Sequence, residues 1–375
     1  MSIKYLAYSI SRMIKYSRGD RMNTKINLLR DSFDALKIDA CLITSGVSHR
    51  YFTTFDNHSA LLLITRENAY ALEDFRYIEI AKKVLNGIYQ AIDPSGKPFS
   101  CLNDIISKEK IHTIGIENKS ITLYEYERFR EKINATLIGI GDKIENMREI
   151  KSGAELEKIA IAQEITDGAF AHLLKMITPL MTENDVAAEL EYYMRKHGAE
   201  DKSFETIAIS GEKSSMPHGV PADIRLKKGF LTMDFGALYD GYHSDMTRTV
   251  CIGAADAEMK KLYNTVLAAQ RAALDMLRDG VKCSDADKVA RDIIDVDYKG
   301  LFGHALGHGV GLEIHEEPRL SEKCDKILAC GNVVTVEPGI YIAGKYGCRI
   351  EDLVIIKEGE IRNLTKSPKE LIEIY

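Results

Sequence analysis

The sequence predicts two domains, an α/β domain followed by a larger α+β domain. Its 375 residues are more than one ordinary hydrophobic core usually holds. In the first part of the chain, short apolar segments alternate with amphipathic ones, as strands alternate with helices in an α/β layer. In the second part, long helical patterns stand beside strands and hairpin signals, which favours an antiparallel-rich sheet. We therefore predict an α/β domain over residues 22–146 and an α+β domain over residues 147–375.

Hydrophobic periodicity defines the elements of the first domain. Ile26, Leu29 and Phe33 recur at helical spacing, so residues 25–36 are predicted to form a helix. Further helices are predicted over residues 76–85 and 123–133, and strands over residues 40–44, 60–65 and 113–117.

The second domain contains four predicted helices. One begins at Thr182, where Asp185 three residues later completes a capping-box pattern, and it ends at Gly198. The other helices are predicted over residues 154–176, 256–278 and 284–294, and strands over residues 206–210, 230–235, 247–252, 333–337 and 349–356.

Composition excludes several classes of protein. The 45% hydrophobic and 28% charged fractions are typical of a globular chain, and the net charge of −6 argues against a nucleic-acid partner. We find no apolar run of about 18 residues, so no membrane span is predicted. The seven cysteines are scattered without a C-x-x-C pair, which fits reduced thiols and a cytoplasmic location.

Residues 1–21 are basic and are interpreted separately, as an N-terminal extension. Their longest apolar stretch is interrupted by Ser9 and is short for the core of a signal peptide. Two interpretations stay open: a surface helix or frayed extension, and a start site placed too early, with Met22 as the true first residue.

Two acidic residues lie in strand-like segments on either side of a hairpin signal. Asp234 precedes the Asp240-Gly241 turn and Asp245 follows it. A two-residue turn there pairs Gly236 with Asp245, so Asp234 lies diagonal to Asp245 on the same face, about 7–8 Å away between Cα atoms. A bulge would alter this register.

A second pair of acidic residues repeats the pattern. Glu337 and Glu351 are equidistant from Gly344, so a hairpin centred there places them opposite each other. A salt bridge or an exposed strand edge would explain one such residue. Two hairpins that each carry a pair favour a site where two divalent cations balance four negative charges.

Histidines are concentrated in one glycine-rich segment. His304, His308 and His315 lie within twelve residues, and His218 is a further candidate. The glycines form neither a dinucleotide-binding nor a P-loop motif, and Arg319 stands where H-E-x-x-H would need its second histidine. Carboxylates with one imidazole suit Mn²⁺, Fe²⁺, Co²⁺ or Zn²⁺.

Four motifs identify a family resemblance: MDFGALYDGYHSDMTRTV, FGHALGHGVGLEIHEEP, VTVEPGIY and CRIEDLV. Their order and spacing are similar to those of the pita-bread metallopeptidases, prolidase (Xaa-Pro dipeptidase) and Xaa-Pro aminopeptidase. The resemblance extends over the chain from about residue 22. It implies a creatinase-like α/β N-terminal domain, a pita-bread α+β catalytic domain and often a homodimer.

The resemblance also implies roles for individual residues. Asp234, Asp245, His308, Glu337 and Glu351 match the metal ligands, with Asp245 and Glu351 as bridges between two ions, of which Mn²⁺ or Co²⁺ is expected first. Glu337 also matches the residue that orients or deprotonates the attacking water. His218 and His315 match histidines near the substrate, and His304 and Arg349 match residues that support the site.

The expected activity is hydrolysis of the peptide bond between an N-terminal residue and proline, as an Xaa-Pro aminopeptidase. An Xaa-Pro dipeptidase is the alternative, because the sequence does not show how the far side of the pocket is closed. A methionine aminopeptidase is less favoured, since that family normally lacks an N-terminal domain of this size. A non-enzymatic pita-bread binding module is also less favoured, because all five ligands are present.

Overall fold

The structure is a computed structural model that describes residues 18–55 and 61–375. The chain divides into two compact units between Arg148 and Glu149. Most of the predicted extension lies outside the described residues, but residues 18–21 belong to the first helix. In the part of the chain that the structure describes, no helix has both the length and the apolar character that a membrane crossing requires.

The first unit is built on a six-stranded mixed sheet in the order β4-β3-β2-β1-β5-β6. Strands β1, β2 and β3 pair antiparallel, whereas β4, β5 and β6 each join the sheet in parallel. Leu42, Leu63 and Ile114 are fully buried in its core. The strands are β1 (Ala40–Ile43), β2 (Leu61–Thr65), β3 (Ala69–Leu72), β4 (Gln90–Ile92), β5 (Thr113–Ile116) and β6 (Thr136–Gly139).

Seven helices are described in the first unit, and they correct one prediction. The helix predicted over residues 25–36 is wrong as a single element: it starts earlier, at Arg18, and breaks at Asp31 and Ser32. The Ser32 hydroxyl donates to the Leu29 carbonyl at 2.6 Å, so a side chain competes with the helical pattern there. The helices are α1 (Arg18–Arg30), α2 (Phe33–Leu36), α3 (Gly46–Thr53), α4 (Ile78–Val84), α5 (Pro98–Glu109), α6 (Leu123–Lys132) and α7 (Lys143–Arg148).

The four helices predicted for the second unit are present, with ends shifted by a few residues. Thr182 caps its helix by accepting from the Asp185 amide at 3.0 Å, and the Asp185 carboxylate accepts from the Thr182 amide at 2.7 Å. This capping box confirms the predicted start. The helices are α8 (Gly153–Leu173), α9 (Glu183–Lys196), α10 (Ala257–Met276) and α11 (Cys283–Tyr298), and a 3₁₀ turn covers Gly211–Ser215.

The strands of the second unit pair mostly antiparallel, as predicted. The strand predicted over residues 349–356 is wrong as one element, because it is interrupted at Ile350 and Glu351. The strands are β7 (Asp201–Lys202), β8 (Ile207–Ser210), β9 (Gly229–Phe235), β10 (Ala237–Tyr239), β11 (Tyr242–His243), β12 (Met246–Ile252), β13 (Gly307–Gly309), β14 (Glu316–Leu320), β15 (Val333–Val336), β16 (Gly339–Ile342), β17 (Tyr346–Arg349), β18 (Asp352–Ile356), β19 (Ile361–Asn363) and β20 (Glu373–Ile374).

Two hydrophobic cores fill the second unit, each with a pair of helices against a sheet. Helices α8 and α9 pack on the sheet β20-β12-β9-β8, where Phe170, Leu190 and Met233 are almost completely buried. Helices α10 and α11 pack with the sheet β14-β13-β15-β18-β19 and the hairpin β16-β17 around Leu262 and Val334. The unit is therefore the predicted α+β domain, and its sheets position the candidate site.

Candidate metal centre

The first pair of acidic residues has the predicted register. Asp240 and Gly241 have φ values of 43° and 76°, as a tight hairpin turn requires. Tyr239 pairs with Tyr242, and the same register continues to the pairing of Asp234 with Thr247. Asp245 precedes Thr247 by two residues, so Asp234 and Asp245 lie diagonally on one face, without a bulge between them.

The second pair also has the predicted register. Gly339 pairs with Arg349 on the inner side of the hairpin, and Val336 pairs with Asp352 on its outer side. Both pairings are centred on Gly344, whose φ is 72°. Glu337 and Glu351 therefore lie opposite each other, at the point where both strands leave one sheet and enter another.

Gly236 explains how the first hairpin bends beside its carboxylates. A Cβ atom built on Gly236 would lie 1.9 Å from the backbone oxygen of Ser244, so a larger residue cannot replace it without moving the backbone. The bend separates β9 from β10, and it leaves Asp245 between β11 and β12. The carboxylates thus occupy breaks in the sheet, where side chains can converge.

His308 reaches the same place from strand β13. Its Nδ1 lies 3.0 Å from the Gly309 carbonyl, which only accepts, so Nδ1 carries the proton and Nε2 presents a lone pair. Nε2 lies 3.5 Å from Asp245 Oδ2 and 3.4 Å from Glu337 Oε1. A lone pair facing two carboxylates is repulsive unless a proton or a metal cation lies between them.

The glycines on either side of His308 allow neighbouring strands to approach closely. A Cβ atom on Gly307 would lie 2.1 Å from the Thr335 carbonyl oxygen, and one on Gly309 would lie 2.4 Å from that of Glu317. Only glycine permits this close approach of the backbones. The amide of His308 is then held by Thr335 Oγ1 at 3.0 Å.

Three carboxylate oxygens of the cluster are buried without a hydrogen bond: Asp234 Oδ1, Asp245 Oδ1 and Glu351 Oε1. One ligand atom each from Asp245, His308 and Glu351 lies within 4.8 Å of the others. Buried carboxylate oxygens are costly unless they are paired or coordinate a metal ion. These residues therefore fit divalent cations.

The electrostatics of the cluster lead to the same conclusion. Burial raises the pKa of Asp245 well above its usual value, and neighbouring Glu351 raises it further. Burial and then Glu337 raise the pKa of Glu351 in the same way. Carboxyl groups so close together either take up protons or bind cations.

Two threonines orient the glutamates of the cluster. Thr247 Oγ1 donates to Glu351 Oε2 at 2.7 Å and accepts from Arg349 Nε at 3.0 Å. Thr335 Oγ1 donates to Glu337 Oε1 at 3.0 Å. Partners of this kind fix the orientation of metal ligands and tune their affinity. Neither threonine could be singled out from its local sequence.

Arg349, predicted to support the site, is buried and holds Asp234. Its Nη2 lies 2.5 Å from Asp234 Oδ2, and its Nη1 donates to the Tyr341 hydroxyl at 2.8 Å. That hydroxyl lies 3.0 Å from His304 Nε2, while His304 Nδ1 lies 2.9 Å from the Ala305 carbonyl. A continuous chain of hydrogen bonds thus links Asp234 to His304.

His304 and His315 border the cluster as neutral imidazoles. Burial lowers the pKa of His304 to about 4, and Arg349 adds to this effect. His315 is exposed as a residue, but its ring is partly surrounded by protein; this desolvation and then His308 lower its pKa to about 4. The rings of His308 and His315 are 4.4 Å apart between centroids, so His315 lies directly beside a predicted ligand.

His218 lies close enough to the cluster to influence it. Burial raises the pKa of Glu337 to about 7, and Arg349 and, to a smaller extent, the nearby His218 oppose that rise. His218 is also among the neighbours that contribute, after burial, to the lowered pKa values of His304 and His315. Unlike the ligands, the His218 side chain is exposed. The structure therefore brings all nine predicted site residues together.

Sequence reasoning missed the support behind the glycine-rich segment. Asp287 Oδ1 accepts from the Leu306 amide at 2.9 Å, and Arg291 donates to the carbonyls of Phe302 and His304 at 2.8 and 3.0 Å. Asp287 and Arg291 are four residues apart on α11 and form an ion pair at 3.0 Å. Their spacing was visible in the sequence, but their backbone partners were not.

The cluster has the donor set of a divalent metal centre, in an α+β unit that follows an α/β unit. The chain belongs to metallopeptidase family M24, whose model matches residues 157–358. The model of the creatinase/prolidase N-terminal domain matches residues 25–150. The chain is therefore a peptidase of a family that uses divalent metal ions, with the two-domain fold predicted from the sequence.

Relatives with different activities resemble the chain to a similar degree. An uncharacterized Bacillus subtilis peptidase, YqhT, is 41% identical over 351 residues, which are 93% of this chain and 99% of the relative. The structure of an Xaa-Pro dipeptidase from Bacillus anthracis superposes with a TM-score of 0.92 at 40% identity, covering 94% of this chain and all of that one. The structure of an X-Pro aminopeptidase from Thermotoga maritima superposes with a TM-score of 0.86 at 38% identity, covering 92% of this chain and all of that one.

Proposed function

We propose that the protein is a dinuclear metal-dependent exopeptidase that hydrolyses the bond between an N-terminal residue and proline. The observation that carries the metal centre is the set of three buried carboxylate oxygens without hydrogen bonds, on Asp234, Asp245 and Glu351. One ligand atom each from Asp245, His308 and Glu351 lies within 4.8 Å of the others. The preference for proline is supported by the names of the Bacillus anthracis and Thermotoga maritima relatives.

The proposed ligands are Asp234, Asp245, His308, Glu337 and Glu351, with Mn²⁺ or Co²⁺ as the first candidates and Fe²⁺ or Zn²⁺ as alternatives. Bound there, two divalent ions supply Lewis acidity, which activates a water molecule and polarises a peptide carbonyl. Four carboxylates carry enough negative charge to balance both ions.

The other site residues accept protons, contact the substrate or hold neighbouring side chains in position. Thr335 donates a hydrogen bond to Oε1 of Glu337, and we propose that Glu337 accepts the proton of the attacking water. His218 and His315 are exposed beside the cluster, where an imidazole can hydrogen-bond the substrate or the oxyanion that develops on its carbonyl. His304 and Arg349 keep Asp234 and Tyr341 in place.

Within this function we favour the aminopeptidase, which accepts peptides longer than two residues. The dipeptidase is the second candidate, because the Bacillus anthracis dipeptidase superposes on the chain with a TM-score of 0.92. The same proposal includes a cytoplasmic homodimer and a catalytic domain over residues 147–375. Sedimentation of the purified protein tests the dimer.

Substrate length separates the two candidates. The protein is stripped of metal, reloaded with Mn²⁺ or Co²⁺, and offered Ala-Pro, Ala-Pro-Ala and the control Ala-Ala-Ala. Cleavage of Ala-Pro-Ala before proline supports the aminopeptidase, and cleavage of Ala-Pro alone supports the dipeptidase. Efficient cleavage of Ala-Ala-Ala would remove the proline preference. Failure on all three peptides with metal bound would refute the function.

A further inference from the structure

The segment over residues 210–222 presents His218 beside the candidate metal centre. It begins with the 3₁₀ turn Gly211–Ser215, and its tip is held by a hydrogen bond from the Gly219 amide to the Met216 carbonyl at 3.0 Å. Met216 and Val220, on either side of His218, are 58% and 75% exposed. Between the ends of this segment, the Ser214 hydroxyl accepts from the Gly347 amide at 3.0 Å, and the Pro217 carbonyl accepts from Arg349 Nη1 at 3.5 Å. The position of the exposed tip depends on these contacts and on how the two ends are fixed.

Glu183 meets both ends of this segment. It is the first residue of α9, and its side chain is completely buried. At the start of the segment, Oε1 accepts from the Ser210 amide at 2.7 Å and from the Ser210 hydroxyl at 3.1 Å. Oε2 accepts from Lys213 Nζ at 2.6 Å and, at the end of the segment, from the Ala222 amide at 3.2 Å.

Both oxygens of the Glu183 carboxylate are thus satisfied by the segment itself. A buried carboxylate is stable only when its charge is paired and its oxygens are hydrogen-bonded, and here Lys213 supplies the countercharge. The backbone adds two bonds at the closing end, from the Glu183 amide to Ile224 and from the Asn184 amide to Ala222. Those bonds fix only one end, whereas the carboxylate connects both.

We propose that Glu183 is a positioning residue, which acts on the reaction by fixing the segment that carries His218. The inference rests on the proposed function, because it assumes that His218 contacts the substrate. Glu183 itself lies outside the metal cluster and is not expected to contact substrate or metal. Its effect on turnover should therefore depend on the presence of His218.

A double-mutant cycle tests this dependence. Glu183→Gln keeps the size of the side chain but turns one acceptor into a donor, which then faces donors of the segment. We expect Glu183→Gln to lower kcat/KM by about tenfold or more in the parent protein, and by less than about twofold when His218→Ala is already present. Equal losses in both backgrounds, or no loss in either, would overturn the proposal.

Two further variants keep the test decisive. Glu189→Gln is the matched control, because Glu189 lies on the same helix and pairs with His172 at 2.6 Å, away from the segment. It should leave kcat/KM unchanged. If Glu183→Gln does not fold, Lys213→Met replaces it in the same cycle, since it removes one donor and the countercharge.

Limited proteolysis separates this inference from the proposed function. Glu183→Gln should accelerate tryptic cleavage after Lys213, whereas Glu189→Gln should not. This readout needs no substrate, so it stands even if the parent protein cleaves no proline peptide. An unchanged cleavage rate in Glu183→Gln would show that the carboxylate does not hold the segment.

Discussion

Thr247→Val is the change that most directly tests how the site is built. Thr247 Oγ1 joins Glu351 and Arg349, with bonds of 2.7 and 3.0 Å, and is completely buried. Valine has nearly the same shape, so the substitution removes two charge-assisted hydrogen bonds with little change in packing. Bonds to charged groups contribute about 1.5–3 kcal/mol each, and the loss of a partner that orients a metal ligand typically weakens metal binding about 10–100-fold.

Thr249→Val supplies the matched control on the same strand. Thr249 is also buried, but its hydroxyl bonds to the Arg349 backbone, donating to the carbonyl at 2.9 Å and accepting from the amide at 3.4 Å, and lies 3.2 Å from the Thr232 hydroxyl. No predicted ligand side chain is among these partners. Its replacement should lower the free energy of unfolding by about 1–3 kcal/mol, since each neutral hydrogen bond usually contributes about 1 kcal/mol. Metal affinity should stay close to that of the parent protein.

The assay is calorimetric titration of the metal-free proteins with Mn²⁺, combined with chemical unfolding. A factor of 10–100 corresponds to about 1.4–2.7 kcal/mol of binding free energy, well above the error of the titration. Equal metal affinities for the two variants would refute the view that Thr247 orients Glu351 for metal binding.

Three further predictions concern charge. Removal of metal by a chelator should lower the unfolding temperature, because the buried carboxylates repel one another without a cation. Adding Mn²⁺ or Co²⁺ should restore it. An unchanged unfolding temperature after chelation would contradict a bound metal. Asp245→Asn should raise the unfolding temperature of the metal-free protein, because it removes repulsion between carboxylates. The same change should abolish metal-dependent turnover, and turnover at the parent rate would disprove the role of Asp245 as a bridging ligand. Burial alone would raise the pKa of Asp352, but Arg248 and Lys369 hold it below its usual value. The stability that Asp352 contributes is therefore fully present above the pKa of an unfolded aspartate, and it is lost as pH falls through the lower pKa of the folded state. Asp352→Asn should make the free energy of unfolding depend less steeply on pH in the acid range. A dependence as steep as that of the parent protein would contradict this role.

The sequence predicted the geometry of the carboxylate pairs because each pair belongs to one hairpin. Asp240-Gly241 and Gly344 define the two turns, and strand periodicity then determines which residues face each other. The predicted strand over residues 349–356 was wrong because its apolar pattern continues through Glu351, while the backbone changes sheets there. That change depends on contacts with distant strands, which local periodicity does not report.

The same limit explains the residues that sequence reasoning missed. Thr247 orients Glu351 across more than a hundred positions, and Glu183 holds a segment that begins at Ser210. In a single sequence, a threonine in a strand or a glutamate at a helix start has an ordinary local explanation. The helix predicted over residues 25–36 failed for a local reason, since the hydroxyl of Ser32 competes with the helical hydrogen bonds.

The division of the proposed acidic ligands between two hairpins has a consequence for how the second unit unfolds. The aspartates belong to the hairpin that packs with α8 and α9, and the glutamates to strands that pack with α10 and α11. The hairpins are already joined by the Arg248–Asp352 ion pair and by the hydrogen bonds of Thr247, and Phe230 of the first hairpin lies in the second core. Ions bound between the hairpins would add a further connection at the breaks in both sheets. Metal should therefore stabilise both halves of this unit together: a single calorimetric transition of the unit should move to higher temperature on loading, and a metal-induced shift confined to part of it would contradict this view.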